Sequence, residues 1–256
     1  MLSRRIFDED HVLLRESVRE FIKKNILPHY EEWEQNKVVP KDIWHQAGEL
    51  GFLCPTAEEQ YGGLNVDYRF NTVITEELGY FGVTSVFFPL HSDIVFPYIE
   101  HYANDKQKAR WVPDCISGKK ILALAMTEPG VGSDLAKLKT KAVKDGKSYI
   151  LNGSKTFISN GQIADLIVVA ARTANTEKPH AGISLFVVES DAEGFSRGRN
   201  LNKIGMHAQD TSELFFEDCK IPEENLLGEL NMGFKHMMNN LQQERLSLAI
   251  GGYAAA

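Results

Sequence analysis

Three short segments of this 256-residue chain combine residue types that could do chemistry. The first is Ala125 to Asp134, AMTEPGVGSD, which follows an apolar run, Ile121 to Leu124, with the character of a buried strand. It places two hydroxyls, Thr127 and Ser133, in one turn with Gly130 and Gly132. Glycine carries no Cβ, so backbone N–H groups can come close to a bound group there. The string GVGSDL has the outline of a dinucleotide fingerprint, but the third glycine is missing and its flanks read as β rather than βαβ. A plain β-turn also accounts for both glycines. The second segment, FISNG from Phe157 to Gly161, sets an aromatic ring beside a hydroxyl. A strand ending in an Asn-Gly turn accounts for it equally well. The third is Glu244-Arg245 on a helical pattern. Met237, Leu241 and Leu248 make an apolar stripe, and Glu244 falls on it, three residues after Leu241 and four before Leu248. A carboxylate among apolar neighbours loses solvation and its pKa rises. That suits a general base working near neutral pH. On residue type alone an exposed, salt-bridging glutamate is the commoner outcome, because most helical Glu side chains face water.

The elements that must position these segments fall into two kinds. Helical spacing covers Asp10 to about Asn25, with Pro28 ending the run, then Asp42 to Leu50, closed by Gly51, and Tyr68 to Gly79. The Glu76-Glu77 pair in the third helix reads as a solvated face. Val83 to Tyr102 is strongly apolar with Pro89 and Pro97 inside it, which predicts two buried helical pieces. Lys106 to Ile116 is short and amphipathic. From Ile121 the pattern turns to β. Lys137, Lys139 and Lys141 alternate with Leu138 and Thr140, as on one wet strand face. Asp145-Gly146 and Asn152-Gly153 are hairpin signals. Strands are expected at Leu166 to Ala171, Ile183 to Glu189 and Glu213 to Glu217, followed by a linker at Pro222 to Glu229. Helix resumes at Met232.

Composition is ordinary for a globular chain, with 43% hydrophobic and 25% charged residues. A net charge of −7 disfavours non-specific nucleic-acid binding. No apolar run approaches the roughly 20 residues of a membrane span. The N-terminal MLSRRIFDEDH has no apolar core, so neither a secretory signal nor a transit peptide is expected, and a cytoplasmic location is. Cys54, Cys115 and Cys219 lack CxxC spacing and the eight histidines lack ligand spacing, so no metal is expected and a reducing compartment fits.

Taken in this order, AMTEPGVGSD, FISNG and QQERL (Gln242 to Leu246) resemble the acyl-CoA dehydrogenase family of flavoenzymes. KIGMHAQDTSELFFED, from Lys203 to Asp218, resembles that family's second signature, in which Asp210-Thr211 would have a structural part. The likeness runs over essentially the whole chain, which stops before the family's C-terminal domain. It implies an α+β multidomain protein: an all-α N-terminal domain (1–120), a middle antiparallel, barrel-like β domain (121–230) and the first helix of a C-terminal helical bundle (231–256). It implies FAD held by Leu124, Ala125, Met126, Thr127, Glu128, Pro129, Gly130, Val131, Gly132 and Ser133, and by Phe157, Ile158 and Ser159. Thr127 would bond the pyrimidine edge, Phe157 would stack beside the isoalloxazine, and Ser159 would donate near N5. Many relatives carry Trp and Thr at these last two positions. QQERL is similar to the site where long-chain and isovaleryl members keep their catalytic glutamate, which makes Glu244 the base. Ser133, His180, Ala181, Lys235, Gln242, Gln243, Glu244 and Arg245 would lie along the acyl-CoA substrate.

The implied reaction is α,β-dehydrogenation of a fatty acyl-CoA to the trans-2-enoyl-CoA, with electron-transfer flavoprotein as acceptor and a homodimer or homotetramer as the full-length assembly. Long-chain substrates fit best. Branched, isovaleryl-type substrates, an oxidase that passes electrons to oxygen, and a non-catalytic fragment are the alternatives. Without the C-terminal domain, this chain alone is expected to hold FAD poorly and to expose part of its last apolar stripe.

Overall fold

The computed structural model describes residues 6–256. Helix α1 (Glu9–Phe21) runs on through a π-helical turn at Ile22–Ile26. A short helix, α2 (Tyr30–Asn36), has no clear periodic signal, yet it seats Trp33 in the core. Helix α3 (Lys41–Glu49) ends just before Gly51, whose φ of +73° suits a glycine. Helix α4 (Arg69–Tyr80) matches its spacing, but its acidic pair is not solvated. Glu77 is 1% exposed and accepts from Arg19 Nε at 2.7 Å and from Arg15, while Arg15 Nη2 also reaches Glu76 at 2.7 Å. Two arginines supplied by α1, some 60 residues upstream, turn what looks like a wet face into a buried ionic seam.

The Val83–Tyr102 stretch does hold two buried helical pieces, and they abut. Turns occupy its start, and a π-turn at Leu90–Val95 leads straight into α5 (Phe96–Tyr102). Pro97 sits in the first turn of α5, where its missing N–H is tolerated. Helix α6 (Asp105–Ile116) starts at Asn104, which accepts from the Gln107 backbone N–H in a capping box.

The middle of the chain is one eight-stranded sheet: β1 (Leu122–Ala125), β2 (Lys141–Asp145), β3 (Ser148–Ser159), β4 (Leu166–Arg172), β5 (Ile183–Glu189), β6 (Phe195–Asn200), β7 (Thr211–Pro222) and β8 (Leu226–Leu227). Strand order is β6-β7-β3-β2-β4-β5-β8, with β1 beside β4. Most pairs are antiparallel, but β1 runs parallel to β4, so the sheet is mixed. Period-2 alternation in β4 serves two cores. Leu166, Val168 and Ala170 pack towards the helices, and Ile167, Val169 and Ala171 pack inside the β region.

Three details of the β region differ from the expected pattern. Asp145-Gly146 does join β2 to β3, but Asn152-Gly153 lies inside β3 at a register shift against β7. Gly153 has φ +151°, and a Cβ there would sit 2.5 Å from Thr140 Oγ1. The glycine therefore marks a close approach in a bulge, not a turn. Lys137 lies in a 3-10 turn (Leu135–Lys137) and only Lys141 of the three lysines is on a strand. The expected linker at Pro222 to Glu229 contains β8, which pairs with β5 through Leu185 and Leu227.

His91 joins the two regions. The Leu122 N–H donates to its Nδ1 at 3.1 Å, so the ring proton sits on Nε2, which donates to the Cys115 carbonyl at 3.0 Å. Full burial pushes His91 down to about 4, which keeps it neutral. The last helix, α7 (Gly233–Ala255), packs on α4, where a Cβ at Gly79 would meet Ala254 Cβ at 2.8 Å. Its buried side is Gly233, His236, Met237, Asn240 and Ser247. Leu248 is 56% exposed and so is not on that side, because α4 reaches α7 through Gly251, where an added Cβ would lie 3.6 Å from Thr75 Cγ2. Leu246 and Tyr253 are exposed as well.

Candidate active site

The glycine-rich loop leaves β1 at Ala125 and closes on itself. The Glu128 and Val131 backbones exchange hydrogen bonds of 2.9 and 3.0 Å. Strand β3 holds it from behind: the Thr156 N–H donates to the Thr127 carbonyl at 2.9 Å, and Lys155 Nζ donates to the Met126 carbonyl at 3.0 Å. Lys155 is wholly buried and pairs with Glu128 at 2.9 Å. The Glu128 carboxylate also accepts from the backbone N–H groups of Lys139 (2.6 Å) and Thr140 (2.9 Å). Burial pushes Lys155 down to about 8, against the pull of Glu128. Burial works against the Glu128 charge too, but the Lys155 ammonium and those donors hold its carboxyl below the usual range. The Glu128 side chain is thus committed to the interior, and its backbone N–H and carbonyl are both bonded to Val131.

The outer side of the loop is open. Pro129, Gly130, Gly132 and Ser133 are exposed, and a Cβ added at either glycine would meet nothing within 4 Å. Neither glycine has a positive φ. Protein packing therefore does not require glycine at these two positions. In the neighbouring segment Ile158 is buried, Ser159 is half-buried, and Phe157 is 67% exposed at φ +57°. A left-handed aromatic residue at a bulge in β3 is strained, and such strain concentrates at functional sites.

Helix α7 brings the carboxylate. Glu244 is half-buried, and the Tyr98 hydroxyl on α5 donates to its Oε1 at 2.8 Å. Burial raises the Glu244 carboxyl above its ordinary value, while the Tyr98 hydrogen bond and the Arg245 charge oppose the rise. Burial and the nearby Glu244 charge push Tyr98 up, so its hydroxyl keeps the proton that it donates. One apolar cluster contains Tyr98, Met237 and Val131, with Leu124 and Met126 packed against it. Tyr98, which holds the acid, and the glycine-rich loop therefore pack on the same apolar cluster.

The remaining sequence candidates divide. Gln243 is half-buried, and its Nε2 donates to the Asp93 carbonyl at 3.0 Å. Lys235, Gln242 and Arg245 are exposed. His180 is exposed in a 3-10 turn, with its ring 5.3 Å from Phe234 at the start of α7, and Ala181 beside it is half-buried. Arg172 ties that turn to the end of the glycine-rich loop, donating to the carbonyls of Pro179 at 2.9 Å and Ala136 at 2.7 Å.

Two residues lacked any sequence signal. Tyr98 lies in an apolar run 146 positions from its partner. Asp93 is 2% exposed, and its carboxylate accepts from Asn71 (2.7 Å), Thr75 (3.2 Å) and Ser247 (2.7 Å). Burial pushes it up to about 6 against these donors. No group of three or more His, Cys, Asp or Glu side chains among the described residues could hold a metal ion. No helix among them is long and apolar enough to cross a membrane.

Comparison with known proteins follows the same division. A family model of the acyl-CoA dehydrogenase N-terminal domain matches residues 8–119, and one of the middle domain matches residues 123–219. The mitochondrial long-chain specific acyl-CoA dehydrogenase of Sus scrofa is 47% identical over 247 residues, covering 96% of this chain and 57% of the relative. The mitochondrial isovaleryl-CoA dehydrogenase of Pongo abelii is 39% identical over 247 residues, covering 95% and 58%. The crystal structure of an acyl-CoA dehydrogenase from Geobacillus kaustophilus superposes with a TM-score of 0.96 at 52% identity, over 98% of this chain and 67% of that one. This chain thus spans less than two thirds of the curated relatives it matches, and it belongs to the acyl-CoA dehydrogenase family.

Proposed function

We propose that the protein of which this chain forms the helical and β regions catalyses FAD-dependent α,β-dehydrogenation of fatty acyl-CoA thioesters, with long straight chains preferred. The observation that carries the reading is the half-buried Glu244, raised by desolvation and held at 2.8 Å by a protonated Tyr98. A base in that state can take a proton from Cα of the thioester at neutral pH and release it afterwards.

The loop residues fit a flavin. The open faces of Gly130 and Gly132 leave room for a planar ring to approach backbone N–H groups, and Phe157 offers an exposed aromatic face. Leu124 to Ser133 and Phe157 to Ser159 are the residues we assign to it, with Glu128 contributing by bracing the loop from within. Bound there, FAD would supply the acceptor for the hydride that leaves Cβ. Thr127 and Ser159 would orient the ring by hydrogen bonds, and Ser133, His180 and Ala181 would meet the CoA part along the path that Arg172 braces. Glu244 receives the Cα proton, and the Cα–Cβ double bond forms as the hydride departs. An apolar cleft of about 490 Å³ between α4 and α7, lined by Leu78, Gly79, Phe87, Pro89, Leu248 and Gly251, opens beside Ser247, three residues beyond Glu244. We place the acyl tail there.

Electron-transfer flavoprotein as acceptor and a dimer or tetramer as assembly complete the proposal. Three buried free cysteines suit a reducing compartment, the cytoplasm being the one we favour. The test is turnover across CoA esters with an artificial electron acceptor. The reading expects kcat/KM to be highest for palmitoyl-CoA and lower by at least about tenfold, roughly 1.4 kcal/mol, for butyryl- and isovaleryl-CoA. A maximum at isovaleryl-CoA would favour the branched-chain alternative, which the 39% identity to the isovaleryl enzyme keeps in view.

A further inference from the structure

We infer that Asp93 is a positioning residue for Glu244, gripping α7 on both sides of it. The inference rests on the reading of Glu244 as the base. Gln243 and Ser247 are one helical turn apart and lie on one face of α7. Asp93 takes both: its backbone carbonyl accepts from Gln243 Nε2 at 3.0 Å, and its carboxylate accepts from Ser247 Oγ at 2.7 Å. Glu244 lies between them, one residue after the first contact and three before the second.

The grip is written into the local backbone. Asp93 lies in the π-helical turn Leu90–Val95, and the residue four positions on, where an α-helical donor would sit, is Pro97, which has no N–H. Gln243 Nε2, from another element, donates to that carbonyl. The anchor itself is braced, because Asn71 and Thr75 of α4 hold the same carboxylate at 2.7 and 3.2 Å. Successive residues on an α-helix are about 100° apart, so two contacts on one face fix the direction in which the next residue leaves the axis. That direction is the one that brings Glu244 Oε1 to the Tyr98 hydroxyl. A misplacement of about 1 Å at a reacting group can lower a rate about a hundredfold.

The experiment compares Asp93→Asn, Ser247→Ala and Glu244→Gln in the flavin-loaded enzyme, with kcat expressed per bound flavin. Asp93→Asn and Ser247→Ala should each lower kcat by about 10- to 100-fold, while KM for the acyl-CoA shifts by less than about threefold. Amide hydrogen exchange at residues 243–250 should speed up, with exchange in the sheet unchanged. The inference is overturned by either of two results: kcat per flavin of Ser247→Ala within twofold of wild type, or slower turnover with exchange across α7 unaltered. Ser247→Ala decides the matter even where Asp93→Asn does not fold. If Glu244→Gln turns over normally, the base reading fails. If Glu244→Gln is dead while Ser247→Ala is normal, only the positioning role fails.

Discussion

The glycine-rich loop and the Glu244 segment are held in opposite ways. The loop is fastened by its own neighbourhood: Lys155, 27 and 29 positions from the groups it bonds, lies on a strand of the same sheet. Glu244 is fastened across the chain, by Tyr98 at a separation of 146 residues, and its helix by Asp93 at 150 and 154. The first arrangement is local, dry and ionic. The second depends on three helices arriving together and uses hydrogen bonds to a carboxylate and a carbonyl. A ligand platform can thus be built into one folding unit, whereas the acid is aimed only once α4, α5 and α7 have docked.

The largest effect that would sharpen this contrast lies under the loop. Lys155→Met removes the cation from a buried pair and leaves Glu128 charged in the interior. We expect a loss of about 3–5 kcal/mol in unfolding free energy, with flavin retention falling in step. A denaturant midpoint near that of wild type would show that the pair does not hold the loop.

A smaller effect is expected at the acid. In Tyr98→Phe the hydrogen bond to the Glu244 carboxylate is gone. That bond favours the charged form, so its loss raises the carboxyl further above the value that burial already lifts. The base must be ionised to act, and activity is lost as pH falls through its pKa. The acid limb of the kcat/KM profile should therefore move to higher pH, with the rate on the alkaline plateau within about tenfold of wild type. An acid limb that stays in place or moves to lower pH would remove Tyr98 from the account.

Most of the elements were legible because their signals are local. Ile183–Glu189 appears as a strand at the boundaries its apolar run sets, and Asp145-Gly146 makes its hairpin. The failures share a cause, which is a partner from a distant segment. Glu76-Glu77 reads as wet until Arg15 and Arg19 are brought over it. Asn152-Gly153 reads as a turn until Thr140 is found against the glycine. Glu244 itself was legible as a carboxylate in an apolar helix, but the residues that aim it were not, since no spacing along the chain links positions 93 or 98 to 244.

The most direct measurement is anaerobic mixing of the flavin-loaded protein with palmitoyl-CoA, following the loss of flavin absorbance in wild type and in Glu244→Gln. With Glu244 as the proton acceptor, the variant should keep its flavin and bleach more slowly by about 10³-fold or more. Bleaching within tenfold of the wild-type rate, with flavin fully bound, would mean that some other group takes the proton.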